Sequence, residues 1–237
     1  MAESPERFLD RLGTVANQLA PYRIDKMVLM EDHTVHLDCN WKAVVDNFTK
    51  LYHVDFPHPQ HKRIIDCCND TVHLFKNNHT GLAVPGDTVS PRFAAPDMTT
   101  DIQTMQLKSL DLYSEDFRGR VTDVRRAIQL QKRTIGRARG MEYAHFDDDQ
   151  LSVVWQYNLF PNAVLSCTPE HCWLLRPRPH LNNASKCSFD KISREMYADP
   201  KLGDTASEIR GPGQRQTRKE SEYISTDYER PKRDVFH

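Results

Sequence analysis

Apolar residues first recur at helical spacing in PERFLDRLGTVANQLA (5–20). There Phe8, Leu9, Leu12, Val15 and Leu19 share one face and predict a short amphipathic helix. The next segments, MVLMED and TVHLDCN, hold alternating apolar and polar positions. With Glu31-Asp32 read as a turn, they predict the two strands of a hairpin. Asn40 stands where a helix cap belongs, and WKAVVDNFTKLYHV (41–54) follows with Trp41, Val44, Val45, Phe48, Leu51 and Tyr52 on one broad face. Pro57 and Pro59 are expected to end this helix. Between 70 and 90, DTVHLFKNN and GLAVPG read as paired strands, and 100–139 reads as helical, closed by Gly136 and Gly140. The acidic run DDDQ suits a helix start or a turn, and LFPNAVLSCT, HCWLLRPRP and KCSFDKISREMY predict three strands of one sheet. From about residue 198 the chain becomes polar, so 201–237 is expected to be a loop or tail, disordered or truncated. The whole reads as α+β with a helical insert between groups of strands.

Composition narrows the class of protein. The chain has 237 residues, 27% of them charged and 38% hydrophobic, with a formal net charge of -1. That balance argues against general binding to nucleic acid or to an anionic membrane. The basic stretch RVTDVRRAIQLQKRTIGRARG is interrupted by apolar and acidic residues and reads as a solvated helix face. No apolar run reaches the ~20 residues of a membrane helix, and MAESPERFLDRLGTV has no secretory pattern. The six cysteines (39, 67, 68, 167, 172 and 187) form no CxxC pair, so reduced thiols in a cytoplasmic protein are expected. His171 and Cys172 are neighbours in a predicted strand, without spaced partners that would make a zinc site.

The stretch Asp46-Asn47-Phe48-Thr49-Lys50-Leu51-Tyr52-His53-Val54-Asp55-Phe56-Pro57-His58-Pro59 carries the candidate chemistry. His53 and His58 straddle a predicted helix end, with His53 on the inner face and a Pro57 turn able to bring His58 back to the same point. Two neutral imidazoles and a carboxylate, with open positions opposite, form the facial triad of non-haem Fe(II) oxygenases. Histidine pairs at this spacing also arise by chance, so the surrounding residues decide. NWKAVVDNF-x-x-x-YH-x-x-x-x-HP resembles the signature of the catalytic domain of Rieske ring-hydroxylating oxygenase α-subunits. RFLDRLGTVANQLAPYRIDKMVL and WQYNLFPNAVLSCTPEHCWLLRPRP resemble its flanking segments. The resemblance covers roughly residues 5 to 200, taken together as one partial catalytic domain over 1–200.

The resemblance implies a helix-grip (START/Bet v1-like) fold, a curved antiparallel sheet around a long helix, with a cavity for an aromatic or apolar substrate. It implies that His53 and His58 bind a mononuclear Fe(II) and that Asn47 lies behind the ligands. It also implies O2 as co-substrate, trimeric association, and electrons from a 2Fe–2S cluster fed by a ferredoxin and an NAD(P)H reductase. The sequence departs from the family's pattern in three respects. Only Cys39 precedes the motif, so the cluster is expected to be bound outside this chain. No late helix carries an obvious third ligand. Asp190, Asp199, Asp204, Asp227 and Asp234 are available, Asp204 at a plausible separation but in a loop-like context. Lys50 replaces an acidic residue that would link cluster to iron, and an Asp46–Lys50 pair is its simplest role. The readings that follow are two. One is the catalytic-domain portion of an aromatic-ring-hydroxylating Rieske oxygenase, incomplete by itself. The other is an inactive helix-grip fragment that binds apolar ligands, or one completed in trans by a separate Rieske subunit.

Overall fold

The alternating segments pair into one antiparallel sheet in the computed structural model, which describes residues 7–58, 61, 63–68 and 71–196. Its strands are β1 (Val28–Leu37), β2 (Val72–Leu74), β3 (Thr80–Pro85), β4 (Val153–Leu159), β5 (Ala163–Cys167), β6 (His171–Pro179) and β7 (Cys187–Glu195). They lie in the order β1-β7-β6-β5-β4-β3-β2. The α+β reading and the three late strands are borne out. The expected hairpin over 27–40 is not: β1 is a single strand that runs through Glu31-Asp32. It is an edge strand, so its outward polar groups meet solvent or cross-strand partners. Lys191 pairs with Glu31 at 3.1 Å, and Thr34 donates to Asp190 at 2.9 Å. A register shift between Leu29 and Glu31 absorbs the local irregularity.

The first predicted helix is two short ones, α1 (Phe8–Leu12) and α2 (Thr14–Leu19). Gly13 separates them at φ 55°, ψ -130°, a conformation open essentially to glycine. These helices place Leu12 and Val15 against Tyr157 and Leu159 on one face of the sheet. The opposite face receives Leu51 and Val54 on Leu82, Val84 and Val154. Helix α3 (Trp41–Phe48), capped by Asn40 accepting from the Lys42 N–H at 2.9 Å, lies over β5, β6 and β7. The helical insert is α4 (Asp101–Ser109), α5 (Val124–Ile135) and short 3-10 turns, with a core of Leu107, Phe117, Val121, Val124 and Ile128. Thr100 and Gln103 form a capping box at the start of α4. Among the described residues no helix is long and apolar enough to cross a membrane. The tail expected over 201–237 lies outside the described residues.

Candidate functional site

Thr49 decides how the two histidines are presented. Its backbone N–H and its hydroxyl both donate to the Asp46 carbonyl, at 3.3 and 3.2 Å. The last helical turn tightens to an i→i−3 contact, and α3 stops at Phe48. The helix expected over 41–54 is therefore shorter, and His53 stands on a run of turns rather than on a helical face. In that run Val54 N–H donates to Leu51 O (2.9 Å), Phe56 N–H to His53 O (3.0 Å) and His58 N–H to Val54 O (3.1 Å). Leu51 and Val54 are buried, which anchors the turns to the sheet from below. The His53 and His58 rings come together with centroids 5.9 Å apart in an edge-on arrangement. The helix-end geometry thus differs from the expected one, and the two rings are neighbours on the turn run.

Both rings are partly buried. Burial lowers the His53 pKa, and the neighbouring His58 and Lys50 push it the same way. The ring is thus held in the neutral form that can bind a metal. Its Nδ1 atom is buried with no hydrogen-bond partner. A third ring was not singled out from the sequence. His61 stands 6.1 Å from His58, centroid to centroid, and burial likewise lowers its pKa. The signal was present in the spacing His58-x-x-His61, which places it one turn further along the same run. Among the described residues no three His, Cys, Asp or Glu side chains already stand at ion-binding distance.

The surrounding charges are accounted for locally. Lys50 Nζ lies 2.5 Å from Asp46 Oδ2, the expected i, i+4 pair, and 5.0 Å over the Tyr52 ring. Asn47 is half-buried on the last turn of α3. Asp55, between the two histidines, turns inward and is only 8% exposed. Arg92 Nη1 donates to its Oδ2 at 2.9 Å, while Oδ1 is buried without a partner. Asp55 and Arg92 therefore tie the turn to the chain that follows β3.

Of the carboxylates considered as third ligand, Asp190 is on β7 and is already engaged. Arg178 donates to both its oxygens at 2.8 Å, Arg176 to Oδ2 at 3.0 Å and Thr34 to Oδ1 at 2.9 Å. It is a buried structural anion, and a metal would have to displace those donors. Asp199, Asp204, Asp227 and Asp234 lie outside the described residues. His171 and Cys172 point to opposite faces of β6, as successive strand residues do. His171 stacks near Trp173 at 4.6 Å, while the Cys172 sulfur lies 3.4 Å from that of Cys167 in the core.

The family model for the ring hydroxylating alpha subunit (catalytic domain) matches residues 24–210. A 60-residue stretch is 32% identical to the glycine betaine monooxygenase oxygenase subunit of Chromohalobacter salexigens, covering 25% of this chain and 14% of that protein. Two solved structures resemble the chain. A quaternary ammonium Rieske monooxygenase described in carnitine oxidation by gut microbiota is 12% identical, with a TM-score of 0.49, covering 88% of this chain and 44% of that one. Naphthalene 1,2-dioxygenase bound to phenanthrene is 17% identical, with a TM-score of 0.47, covering 95% and 46%. The chain spans less than half the length of these relatives.

Proposed function

Because the chain belongs to the ring hydroxylating alpha subunit catalytic-domain family, we propose that it is the catalytic portion of a Rieske oxygenase in which His53 and His58 hold a mononuclear Fe(II). The observation that carries this reading is the 5.9 Å convergence of the two rings, one of which has a buried nitrogen without a partner. The donor set fits the ion: imidazole suits iron, and neutral rings leave room for one carboxylate in the set. Asp204 is the carboxylate proposed to complete it. Iron bound there would supply dioxygen activation, with electrons from a 2Fe–2S cluster carried elsewhere in the assembly and from an NAD(P)H reductase.

The chain's own residues do the positioning. The anchors Leu51 and Val54 hold the turn run on the sheet, and Asp55 with Arg92 holds it from behind. His53 is kept deprotonated by burial and by the cation at Lys50. Lys50 itself is engaged by Asp46 and Tyr52, so it serves as a local charge clamp and not as an acceptor for a ligand histidine. The substrate proposed first is aromatic or apolar, as the family description suggests. A small quaternary ammonium compound is the second candidate, favoured by the relative named for glycine betaine. The cluster-bearing component and a trimer remain part of the proposed assembly.

Anaerobic loading of the full chain with Fe(II), followed by metal analysis, is expected to give about one iron per chain. The double variant His53→Ala/His58→Ala is expected to give none; iron retained at full occupancy in that variant would sink the assignment. Oxygen uptake with a reduced Rieske component, measured with naphthalene and with glycine betaine in parallel, then separates the two substrate candidates.

A further inference from the structure

We propose that Asp87 and Gln106 form a proton-operated latch that holds the helical insert against the sheet, closed when Asp87 carries a proton and loosened when it is ionised. Asp87 stands just beyond β3 and is only 5% exposed. Two amide side chains of α4 face it: Gln103, which is fully buried, and Gln106, one turn further on. The charged groups that face it are Lys132 and Arg125, both on α5. Each of these is already engaged by another carboxylate. Lys132 Nζ lies 2.7 Å from Glu170 Oε1, and Arg125 Nη2 lies 2.7 Å from Asp149 Oδ1. Arg125 also donates to Ser152 Oγ at 3.0 Å and to Thr88 Oγ1 at 2.9 Å. Among the described residues three carboxylates thus share two cations, and Asp87 is left without an ion pair of its own. A buried carboxyl so placed favours its neutral form.

Gln106 can meet Asp87 in two orientations of its amide. With the nitrogen inward it donates to Oδ1 at 3.1 Å and to Oδ2 at 3.2 Å, which suits an ionised carboxylate. With the oxygen inward the same contacts join oxygen to oxygen, and they close only when Asp87 holds a proton to donate. The proton therefore decides which way the amide points. The protonated arrangement buries no charge, so it is the tighter of the two. Opening the contact hydrates the carboxyl and returns its pKa towards 3.8. The latch is accordingly strongest below that value and weakens as the pH rises from there to about 6. Asp87 follows β3, whose Leu82 and Val84 pack with Leu51 and Val54. The latch thus ties the insert to the strand beneath the turns that carry His53 and His58, and it does not depend on whether those rings bind a metal.

The test is hydrogen–deuterium exchange of the full chain, corrected for the intrinsic rate at each pH. Relative to the amides of β5, those of α4 are expected to open about tenfold or more as readily at pH 7.0 as at pH 4.5. Asp87→Asn is neutral at both pH values, so it should keep α4 closed and remove the difference. In the unaltered chain the side-chain amide resonances of Gln106 should titrate together with the Asp87 carboxyl, because the amide turns over as the proton leaves. That measurement decides the matter if the asparagine variant fails to fold. Equal opening of α4 at the two pH values, an undiminished difference in Asp87→Asn, or a Gln106 amide that does not follow the titration of Asp87 would each overturn the proposal.

Discussion

Asp87 is a carboxylate buried at a positive φ of 53°, and it shows how single residues set the pH response of this chain. Burial pushes its pKa up to about 6, and hydrogen bonding from Gln103 and the cations Lys132 and Arg125 only partly offset that. The folded state thus holds a proton that the unfolded state has already released. Stability is greatest below the unfolded value of 3.8 and declines as the pH rises towards about 6. Asp87→Asn removes that penalty and keeps a side chain that tolerates positive φ. Urea denaturation should find the variant more stable by on the order of 2 kcal/mol at pH 7.5, the gain vanishing near pH 4. Asp190 has the opposite sign. Its burial raises the pKa, but hydrogen bonds from Arg178, Thr34 and Arg176 outweigh that and hold the carboxyl below its ordinary 3.8. Its contribution is present above that value and is lost as the pH falls through the lower folded pKa. Asp190→Asn should cost about 2 kcal/mol at neutral pH, and the deficit should shrink on acidification in the same denaturation series. Nothing in the local sequence distinguishes these two aspartates from solvated ones. Their environments come from Arg176, Arg178, Lys132 and Arg125, all distant in the chain or across a strand.

At the level of elements, local pattern was informative where a segment's partner is local. The Asn40 cap, the paired strands around Leu82 and the three strands from Ala163 to Glu195 follow from short-range alternation and cap chemistry. The pattern misled where tertiary contacts override propensity. Glu31-Asp32 looks like a turn, yet Lys191 and the β7 register keep it in a strand. Leu51 and Tyr52 continue the helical period beyond Phe48, yet Thr49 breaks the ladder, Leu51 is drawn onto the sheet and Tyr52 is left 61% exposed. Gly136, just after α5, belongs to the same class of decision. A Cβ there would stand 2.3 Å from the Tyr143 ring and 2.6 Å from the Lys132 carbonyl. Tyr143 donates to Glu170 at 2.9 Å, and Lys132 pairs with Glu170 at 2.7 Å, so that ring cannot move away freely. Gly136→Ala is therefore expected to lower stability by roughly 2–3 kcal/mol, despite the better helix propensity of alanine. Thermal unfolding would check it, and an unchanged midpoint would show that Tyr143 yields without cost.

For the whole molecule, the metal binding proposed at His53 and His58 would be linked to folding, because the turns carrying them are anchored to the sheet by Leu51 and Val54. An ion bound only by the folded chain stabilises it by about 2.7 kcal/mol at a hundred times the dissociation constant. Calorimetry with saturating Fe(II) under anaerobic conditions, or with Zn(II), should raise Tm by roughly 5–10 °C. The His53→Ala/His58→Ala variant should show no rise. Arg92→Ala, which leaves the Asp55 charge buried and unpaired, should lower Tm without metal and also reduce the metal-induced rise. A rise of full size in that variant would show that the turn needs no support from Asp55 and Arg92.

The sequence by itself determined the α+β class and the family, and it singled out His53 and His58 as the candidate pair, because period, turn chemistry and a long motif are properties of neighbours along the chain. The tertiary structure alone decided that β1 is one strand, that α3 ends before the histidines, that Asp190 is held by two arginines, and that His61 joins their row. Each of these depends on which distant side chains share a buried, low-dielectric space, and spacing along a chain carries no direct record of that.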